Sequence, residues 1–430
     1  MRIYTRLFFI VGFIFLIALG GYYVSKIEVG QTVTFKTPEE SDKFVRFNME
    51  AYDKISKIYW MKTTDEQLAD LFKASLDKVT NSNNILATKD RQSTAKMLAL
   101  AFSLATSTEV KKQLSLDITI TALYNLLPLG RNGLLSDKQE TAFRQNVSNI
   151  DPSKDLYSEL GLQKGASVDD INIAYKEKAT ALKNVTTTEE KEKLQKITYS
   201  HSVLTNKDSK VLYDEAKIEP TLSSKKIGKT LYINMSKISP TTLIEFVRAV
   251  DNASTTSELN TMIIDFRGNV GGSLDFLTNF FGFFVGKNQF VFDFFHQGEY
   301  LPQRSVQPKY PELVRFKEIA ILTDNMTQST AELTTATFKR FNFAKVVGVT
   351  TRGWGTVENT YPMETEIDPG VKYSLLLVNN LTLREDGEPI EGRGIDPDVD
   401  ISKSNWQNEL NKQFISESLI NAIKKEIVVK

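Results

Sequence analysis

Three patterns of hydrophobic and polar positions follow one another along the chain. Residues 7–24 form a nearly unbroken apolar run, and apolar residues between about 41 and 127 recur at the three- and four-residue spacing of amphipathic helices. We predict a helical domain over residues 41–150, joined to the apolar run by an extended linker over residues 26–40. The third pattern begins at about residue 222.

From residue 222 onward, short apolar runs alternate with helical periodicity. The predicted buried strands and the helices between them lie at 230–235, 241–250, 261–266, 319–323, 330–343 and 346–349. This alternation predicts an α/β domain over residues 222–405, and residues 406–430 are predicted to close the chain as an amphipathic helix. The expected fold class is therefore multidomain, with α domains followed by an α/β domain.

The N-terminal pattern is that of a membrane segment. Arg2 and Arg6 precede the apolar run 7–24, which approaches the roughly 20 residues needed to span a bilayer. We predict a membrane anchor over residues 1–25, with the bulk of the chain outside the cytoplasm. A cleaved signal segment is the alternative, because Ala18 and Gly20 resemble a small-residue cleavage site, and the protein would then be secreted.

Composition excludes several classes of function. The 53 basic and 53 acidic side chains cancel, which argues against a nucleic-acid partner. The chain has no Cys and only two His, so thiol catalysis, iron–sulfur clusters and the usual zinc sites are not expected. We therefore expect neither a metal nor any other cofactor.

Residues 151–219 form a separate helical unit in this pattern. The residues from Ser167 have the spacing of a capping box and predict a helix start, and the residues from Thr187 predict the start of another helix. Residues 155–162 (DLYSELGL) and 211–214 (VLYD) resemble parts of a J-domain, a fold that stimulates Hsp70 chaperones through a His-Pro-Asp triplet. This chain has Lys-Asn-Val at 183–185 instead, so we interpret the unit as a degenerate J-domain-like contact module and expect no Hsp70 partner.

Three motifs in the α/β segment occur in a characteristic order. They are residues 265–272 (DFRGNVGG), 329–333 (STAEL) followed by 345–348 (KVVG), and 392–399 (GRGIDPDV). In this order they resemble the tail-specific, or C-terminal processing, serine peptidases. The resemblance implies a crotonase-like fold of β-sheet layers with packed helices, and a peptide or protein substrate. The PDZ module that usually precedes the family's catalytic domain has no counterpart here, because the J-domain-like unit occupies that place.

The residues themselves suggest serine chemistry. Ser329 follows a predicted buried strand and begins a helix, so its hydroxyl can lie above the end of the strand. The main-chain N–H of Thr330, with one from Gly271 or Gly272, could form an oxyanion hole. A purely structural interpretation stays open, because Ser329 and Glu332 also have the spacing of a capping box.

The general base is the difficulty. The resemblance places a Lys in a T-x-G-K-G loop and an assisting Gln four residues later. In this chain the corresponding positions hold Trp354 and Glu358, and an indole has no lone pair with which to accept a proton. Lys339 lies ten helical residues from Ser329, about 15 Å away, which is too far for proton transfer.

Three explanations remain for the missing Lys. The protein could be a catalytically inactive pseudoprotease that holds peptides, with Trp354 as a wall of the groove. Alternatively, Glu358 could be the base, with its pKa raised by burial. In the third arrangement His296 would complete a Ser329–His296–Glu358 triad, although its alternation with apolar strand positions favours a packed side chain.

Overall fold

The chain divides into two units in the computed structural model, which describes residues 36–182, 187–254 and 258–428. The first unit comprises the described residues up to Asp53, Thr64–Ala122 and Pro362–Lys372. The second comprises Lys54–Thr63, Leu123–Tyr361 and the described residues from Tyr373 onward. The helical N-terminal region and the α/β region predicted from the sequence are both confirmed.

Four helices supply most of the first unit. They are α1 (Lys43–Ile58), α2 (Asp65–Thr80), α3 (Arg91–Ser103) and α4 (Thr108–Tyr124). Helix α2 begins with a complete capping box between Thr64 and Gln67. Residues 362–372 return to this unit from far along the chain, and the Glu50 carboxylate accepts the N–H groups of Glu364 and Thr365 at 2.7 and 2.9 Å. No local pattern in the sequence predicted that return.

The second unit begins with a strand and a group of helices. They are β1 (Gly133–Ser136), α5 (Asp137–Val147), α6 (Leu156–Glu159), α7 (Val168–Ala181), α8 (Thr188–Thr205) and α9 (Lys207–Ala216). Helices α6 to α9 share a small core that includes Tyr157, Ile171 and Leu204, and the capping boxes at Ser167 and Thr187 are present. The J-domain resemblance stays a prediction, because residues 183–185 lie outside the described residues.

A six-stranded sheet organises the α/β part. Its strands, in spatial order, are β11 (Val399–Asp400), β8 (Lys345–Gly348), β7 (Glu318–Thr323), β4 (Thr261–Asp265), β3 (Thr230–Met235) and β2 (Leu222–Ile227). All neighbouring pairs are parallel except β2 with β3. Strand β4 is buried along its whole length, which explains its continuous apolar sequence.

Helices cover both faces of this sheet. On one face lie α10 (Thr242–Ser254), α11 (Asp275–Val285) and α12 (Thr330–Arg340), and on the other lie α13 (Trp406–Gln413) and α14 (Glu417–Val428). Successive strand residues alternate between the two cores, with Ile264 on the first face and Ile263 on the second. The prediction of one C-terminal helix over 406–430 is wrong, because α13 and α14 are separate helices.

A second sheet has five strands. Strand β1 pairs with β10 (Tyr373–Thr382), which also pairs with β5 (Phe290–His296) and β9 (Thr356–Pro362), and β6 (Glu299–Arg304) pairs with β5. The prediction of a wholly helical segment over 41–150 is therefore wrong at β1. Its side chains are half-buried, and its partner strand lies about 240 residues later in the sequence.

Among the residues that the structure describes, no helix is long and apolar enough to cross a membrane. The predicted anchor, residues 1–25, lies outside the described residues.

Candidate active site

Three neighbouring parallel strands deliver the loops of the site. Strands β4, β7 and β8 lie side by side in the sheet. The residues that follow them carry Gly271 and Gly272, then Ser329, then Trp354. Because the carboxyl ends of adjacent parallel strands meet at one edge of a sheet, these three loops come together there.

Ser329 occupies a strained turn between β7 and α12. Its backbone angles are φ 58° and ψ −125°, a region that residues with a side chain rarely adopt. The turn is held from both sides, since Gln328 donates its N–H to the Asn269 carbonyl at 2.9 Å and Thr327 donates its hydroxyl to the Phe266 carbonyl at 2.9 Å. Such over-determined strain is typical of functional positions.

Glu332 links the serine turn to the Trp354 loop. Its carboxylate is fully buried. One oxygen accepts the N–H groups of Ser329 and Trp354, both at 2.8 Å, so these two nitrogens are at most about 5.6 Å apart. The other oxygen accepts from the Thr351 hydroxyl and the Gly353 N–H, both at 2.6 Å. Burial raises the pKa of Glu332, and these four donors oppose the rise. The sequence alone indicates Glu332 only as a member of a capping box with Ser329.

The glycine loop packs directly against Ser329. A Cβ on Gly271 would lie 2.7 Å from the Ser329 Cβ, and a Cβ on Gly272 would lie 1.8 Å from the Ile238 carbonyl oxygen. The Gly272 φ of 141° is also one that other residues rarely adopt. Only glycine therefore allows the loop to approach Ser329 this closely at position 271 and Ile238 this closely at position 272.

The hydrogen bonds distinguish between the two glycines. The Gly271 N–H is already bonded to the Asn269 side-chain oxygen at 2.7 Å. The N–H groups of Gly272 and Thr330 have no acceptor among the described residues. Thr330 is the first residue of α12, so its N–H belongs to the unpaired amides of a helix start, where the helix dipole favours negative charge. An oxyanion hole at this edge would thus use Gly272 and Thr330 rather than Gly271.

Trp354 and Glu358 contact each other. The indole N–H of Trp354 donates to Glu358 Oε1 at 3.0 Å, and the Thr356 hydroxyl donates to the same oxygen at 2.5 Å. The second oxygen, Oε2, accepts no hydrogen bond from the described residues. Burial raises the pKa of Glu358, while the hydrogen bonds from Thr356 and Trp354 and the charge of Arg131 oppose the rise. A partly buried carboxyl with a raised pKa and one oxygen that accepts no hydrogen bond from the described residues is suited to accept a proton.

Arg131 is a neighbour that the sequence did not indicate. Its guanidinium carbon lies 3.3 Å from the centroid of the Trp354 ring, and it forms an ion pair with Glu391 at 3.0 Å. Arg131 is separated from Trp354 by more than 200 positions in the sequence. It lies in a turn whose sequence predicts only the end of a helical stretch. No sequence signal could have placed it on the indole.

His296 lies elsewhere on the second sheet. It is the last residue of β5, and its Nδ1 is 2.6 Å from the Asn379 carbonyl oxygen. No hydrogen bond among the described residues joins His296 to Ser329 or to Glu358. The structure thus brings together Ser329, Gly271, Gly272, Thr330, Trp354 and, through Trp354, Glu358, but it does not join His296 to them by hydrogen bonds.

Part of the chain is similar to known proteins. Residues 229–401 match the model of peptidase family S41. A probable CtpA-like serine protease of Staphylococcus aureus (strain N315) is 31% identical over 205 residues, which are 47% of this chain and 39% of that protein. The counterpart in Staphylococcus epidermidis (strain ATCC 12228) is 28% identical over 204 residues, with the same two shares. The chain thus spans well under half the length of these curated relatives.

Among solved structures, the photosystem II D1 C-terminal processing protease aligns with 83% of this chain and 93% of its own. The TM-score is 0.49 and the sequence identity is 12%.

Proposed function

We propose that the protein cleaves extended peptides or protein tails through Ser329, on the premise that residues 229–401 match the model of peptidase family S41 and that the chain is similar in sequence to CtpA-like serine proteases. One observation carries the proposal. The strained Ser329 turn lies against a glycine loop, and the two main-chain N–H groups that flank it, those of Gly272 and Thr330, have no acceptor among the described residues. That arrangement fits a nucleophile beside an oxyanion hole.

In the proposed reaction the Ser329 Oγ attacks the carbonyl carbon of the scissile peptide bond. The hydroxyl proton passes to Glu358, directly or through one water molecule. The negative charge that develops on the carbonyl oxygen is stabilised by the N–H groups of Gly272 and Thr330. The protonated Glu358 then gives its proton to the leaving amine, and water hydrolyses the acyl-enzyme by the same route.

Glu358 is favoured as the base by its surroundings. Glu358 is four residues from Trp354, and the main-chain N–H groups of Trp354 and Ser329 bond to the same Glu332 oxygen. The Oε1 atom of Glu358 accepts the Trp354 indole N–H, while its Oε2 accepts no hydrogen bond from the described residues. Arg352, in the same loop, has a guanidinium that carries only hydrogen-bond donors, so it cannot serve as the base. His296 is bonded to a main-chain carbonyl of β10 instead.

Replacement of Glu358 by Gln should lower the cleavage rate by about 10²–10⁴-fold, the usual contribution of a general base. Because burial raises the pKa of Glu358 and only the ionised form accepts a proton, the wild-type rate should fall as the pH drops through that raised pKa. The acid limb of the pH–rate profile should therefore lie above the ordinary Glu value of about 4.3. The measurement is initial cleavage rate against pH.

Two controls accompany this variant. Glu364→Gln removes an exposed carboxylate outside the site and should leave the rate unchanged. His296→Ala should also be harmless. A large loss of cleavage rate in His296→Ala, with Glu358→Gln fully active, would instead support the Ser329–His296–Glu358 arrangement. In that case His296 would be the base and the Glu358 carboxylate would not be essential.

A second candidate function is peptide binding without cleavage. The observation that favours it is Trp354, whose side chain is fixed between Arg131 and Glu358 at the position where the resemblance expects a Lys. A pseudoprotease would bind an unstructured peptide saturably, in both wild-type and Ser329→Ala forms, and would release it uncut.

We further propose that the protein acts outside the cytoplasm and is attached to the membrane through residues 1–25. The support is the order of Arg2, Arg6 and the apolar run 7–24. In intact cells expressing the full chain, the protein should sediment with membranes and be digested by externally added protease once any outer layer is removed. Recovery in the soluble cytoplasmic fraction would contradict this location.

A further inference from the structure

We propose that Arg131 is a positioning residue for the reaction, which holds the Trp354 indole against Glu358 and, through its positive charge, favours the ionised form of that carboxyl. The inference rests on the proposed function, in which Glu358 accepts the proton of Ser329. It assigns a role to a side chain that lies outside the three sequence motifs and outside residues 229–401.

The indole of Trp354 is held at its face and at its edge. The Arg131 guanidinium carbon is 3.3 Å from the ring centroid, the separation of two flat groups in van der Waals contact. A cation in this position is attracted to the ring face, and Arg adds planar stacking that Lys cannot provide. At its edge, the indole N–H donates to Glu358 at 3.0 Å. The stacked Arg131 therefore fixes the donor that orients Glu358.

Arg131 is itself anchored to the Trp354 loop. One guanidinium nitrogen lies 3.0 Å from Glu391 Oε1, and the other Glu391 oxygen accepts the N–H of Gly355 at 2.7 Å. Glu391 thus ties the guanidinium to the residue that follows Trp354. The Arg131 side chain is only 17% exposed, and its Nε is buried with no hydrogen-bond partner among the described residues.

Two charged groups act on Glu358 from the elements around it. Arg131, from the turn before β1, favours the ionised form, and Glu391, from the turn after β10, disfavours it. The remaining neighbours, Thr356 and Trp354, are neutral hydrogen-bond donors. Removal of Arg131 would leave Glu358 with burial and the repulsion of Glu391, both of which favour the protonated carboxyl. A protonated Glu358 cannot act as a base.

The test reads the charge of Glu358 without using activity. The chain has three Trp, so replacing Trp60 and Trp406 by Phe leaves Trp354 as the only indole. Its emission should change when the acceptor of its N–H gains a proton. A fluorescence titration should therefore report the Glu358 midpoint, and Glu358→Gln should abolish the transition.

In this background Arg131→Met should raise the midpoint by about one pH unit or more, which is at least a tenfold increase in proton affinity. The acid limb of the pH–rate profile should move upward with it. Arg352→Met is the matched control, because it removes an exposed Arg from the Trp354 loop and should leave the midpoint in place. Arg131→Lys keeps the positive charge but loses the planar stacking. Its midpoint should therefore lie between those of the wild type and Arg131→Met.

Glu391→Gln provides a second test of opposite sign, which is useful if Arg131→Met does not fold. Loss of the repulsive charge should lower the midpoint. An unchanged midpoint in Arg131→Met or in Glu391→Gln would overturn the inference even if the peptidase is active. An acid limb that stays in place while the Arg131→Met midpoint rises would overturn it too. A wild type that cleaves nothing would defeat the proposed function instead, while the fluorescence midpoints would still decide whether Arg131 controls Glu358.

Discussion

Replacing Ser329 with alanine should abolish peptide cleavage, with a loss of about 10⁴–10⁶-fold in rate. The substitution removes the only atom that forms the acyl-enzyme, and losses of this order are typical when a serine nucleophile is deleted. The backbone should tolerate the change, since alanine and serine have the same Cβ and face the same strain at φ 58°. The measurement compares initial rates on an unstructured protein substrate.

The chain offers a matched control for the structural interpretation of Ser329. Ser167 is also an N-cap serine, with Asp170 completing its capping box, at the start of α7. Ser167→Ala should reduce the free energy of unfolding by about 1 kcal/mol and leave cleavage intact. If Ser329→Ala behaved in the same way, with a small loss of stability and full activity, Ser329 would be a helix cap and nothing more.

Replacing Glu332 with glutamine should lower the free energy of unfolding of the second unit by about 2–5 kcal/mol. Glutamine has nearly the same shape, but its amide group would turn one oxygen of the pair into a donor. If the amide replaced Oε2, the N–H groups of Ser329 and Trp354 would both face another donor, and if it replaced Oε1, the Gly353 N–H would do so. Each unsatisfied buried group costs about 1–3 kcal/mol. Urea unfolding measures the loss.

The same change should also reduce catalysis. The N–H groups of Ser329 and Trp354 are held together by one Glu332 oxygen, so the serine turn and the Trp354 loop lose their shared anchor. Glu417→Gln is the control, because Glu417 is exposed in the first turn of α14 and should change neither quantity measurably. A Glu332→Gln protein as stable as the wild type would show that these hydrogen bonds contribute little.

The sequence was sufficient for the local features of the site. The helix that begins after Ser329 and the buried strands before Gly271 and Ser329 all follow from periodicity, and their bounds in the structure agree closely. These features depend on neighbours within a few residues. The helix starts at Ser167 and Thr187 also depend only on nearby residues, because each is capped by its own first turn.

What the sequence could not show depends on contacts between distant residues. From the sequence alone, Gly271 and Gly272 are equal candidates for the oxyanion hole. In the structure the Gly271 N–H donates to the Asn269 side chain, which leaves Gly272 as the candidate. The stacking of Arg131 on Trp354 joins two loops with no common pattern. The entry of β1 into a sheet with β10 likewise depends on a partner far along the chain. A single sequence carries no signal for such pairings.

The most direct test of the central claim uses the full chain in mild detergent with a casein as substrate, and identifies the fragments by mass spectrometry. The account predicts that the wild type produces fragments, that Ser329→Ala produces none, and that Glu358→Gln produces them at least about a hundredfold more slowly. Saturable casein binding with no fragments from the wild type would contradict the account and identify a pseudoprotease.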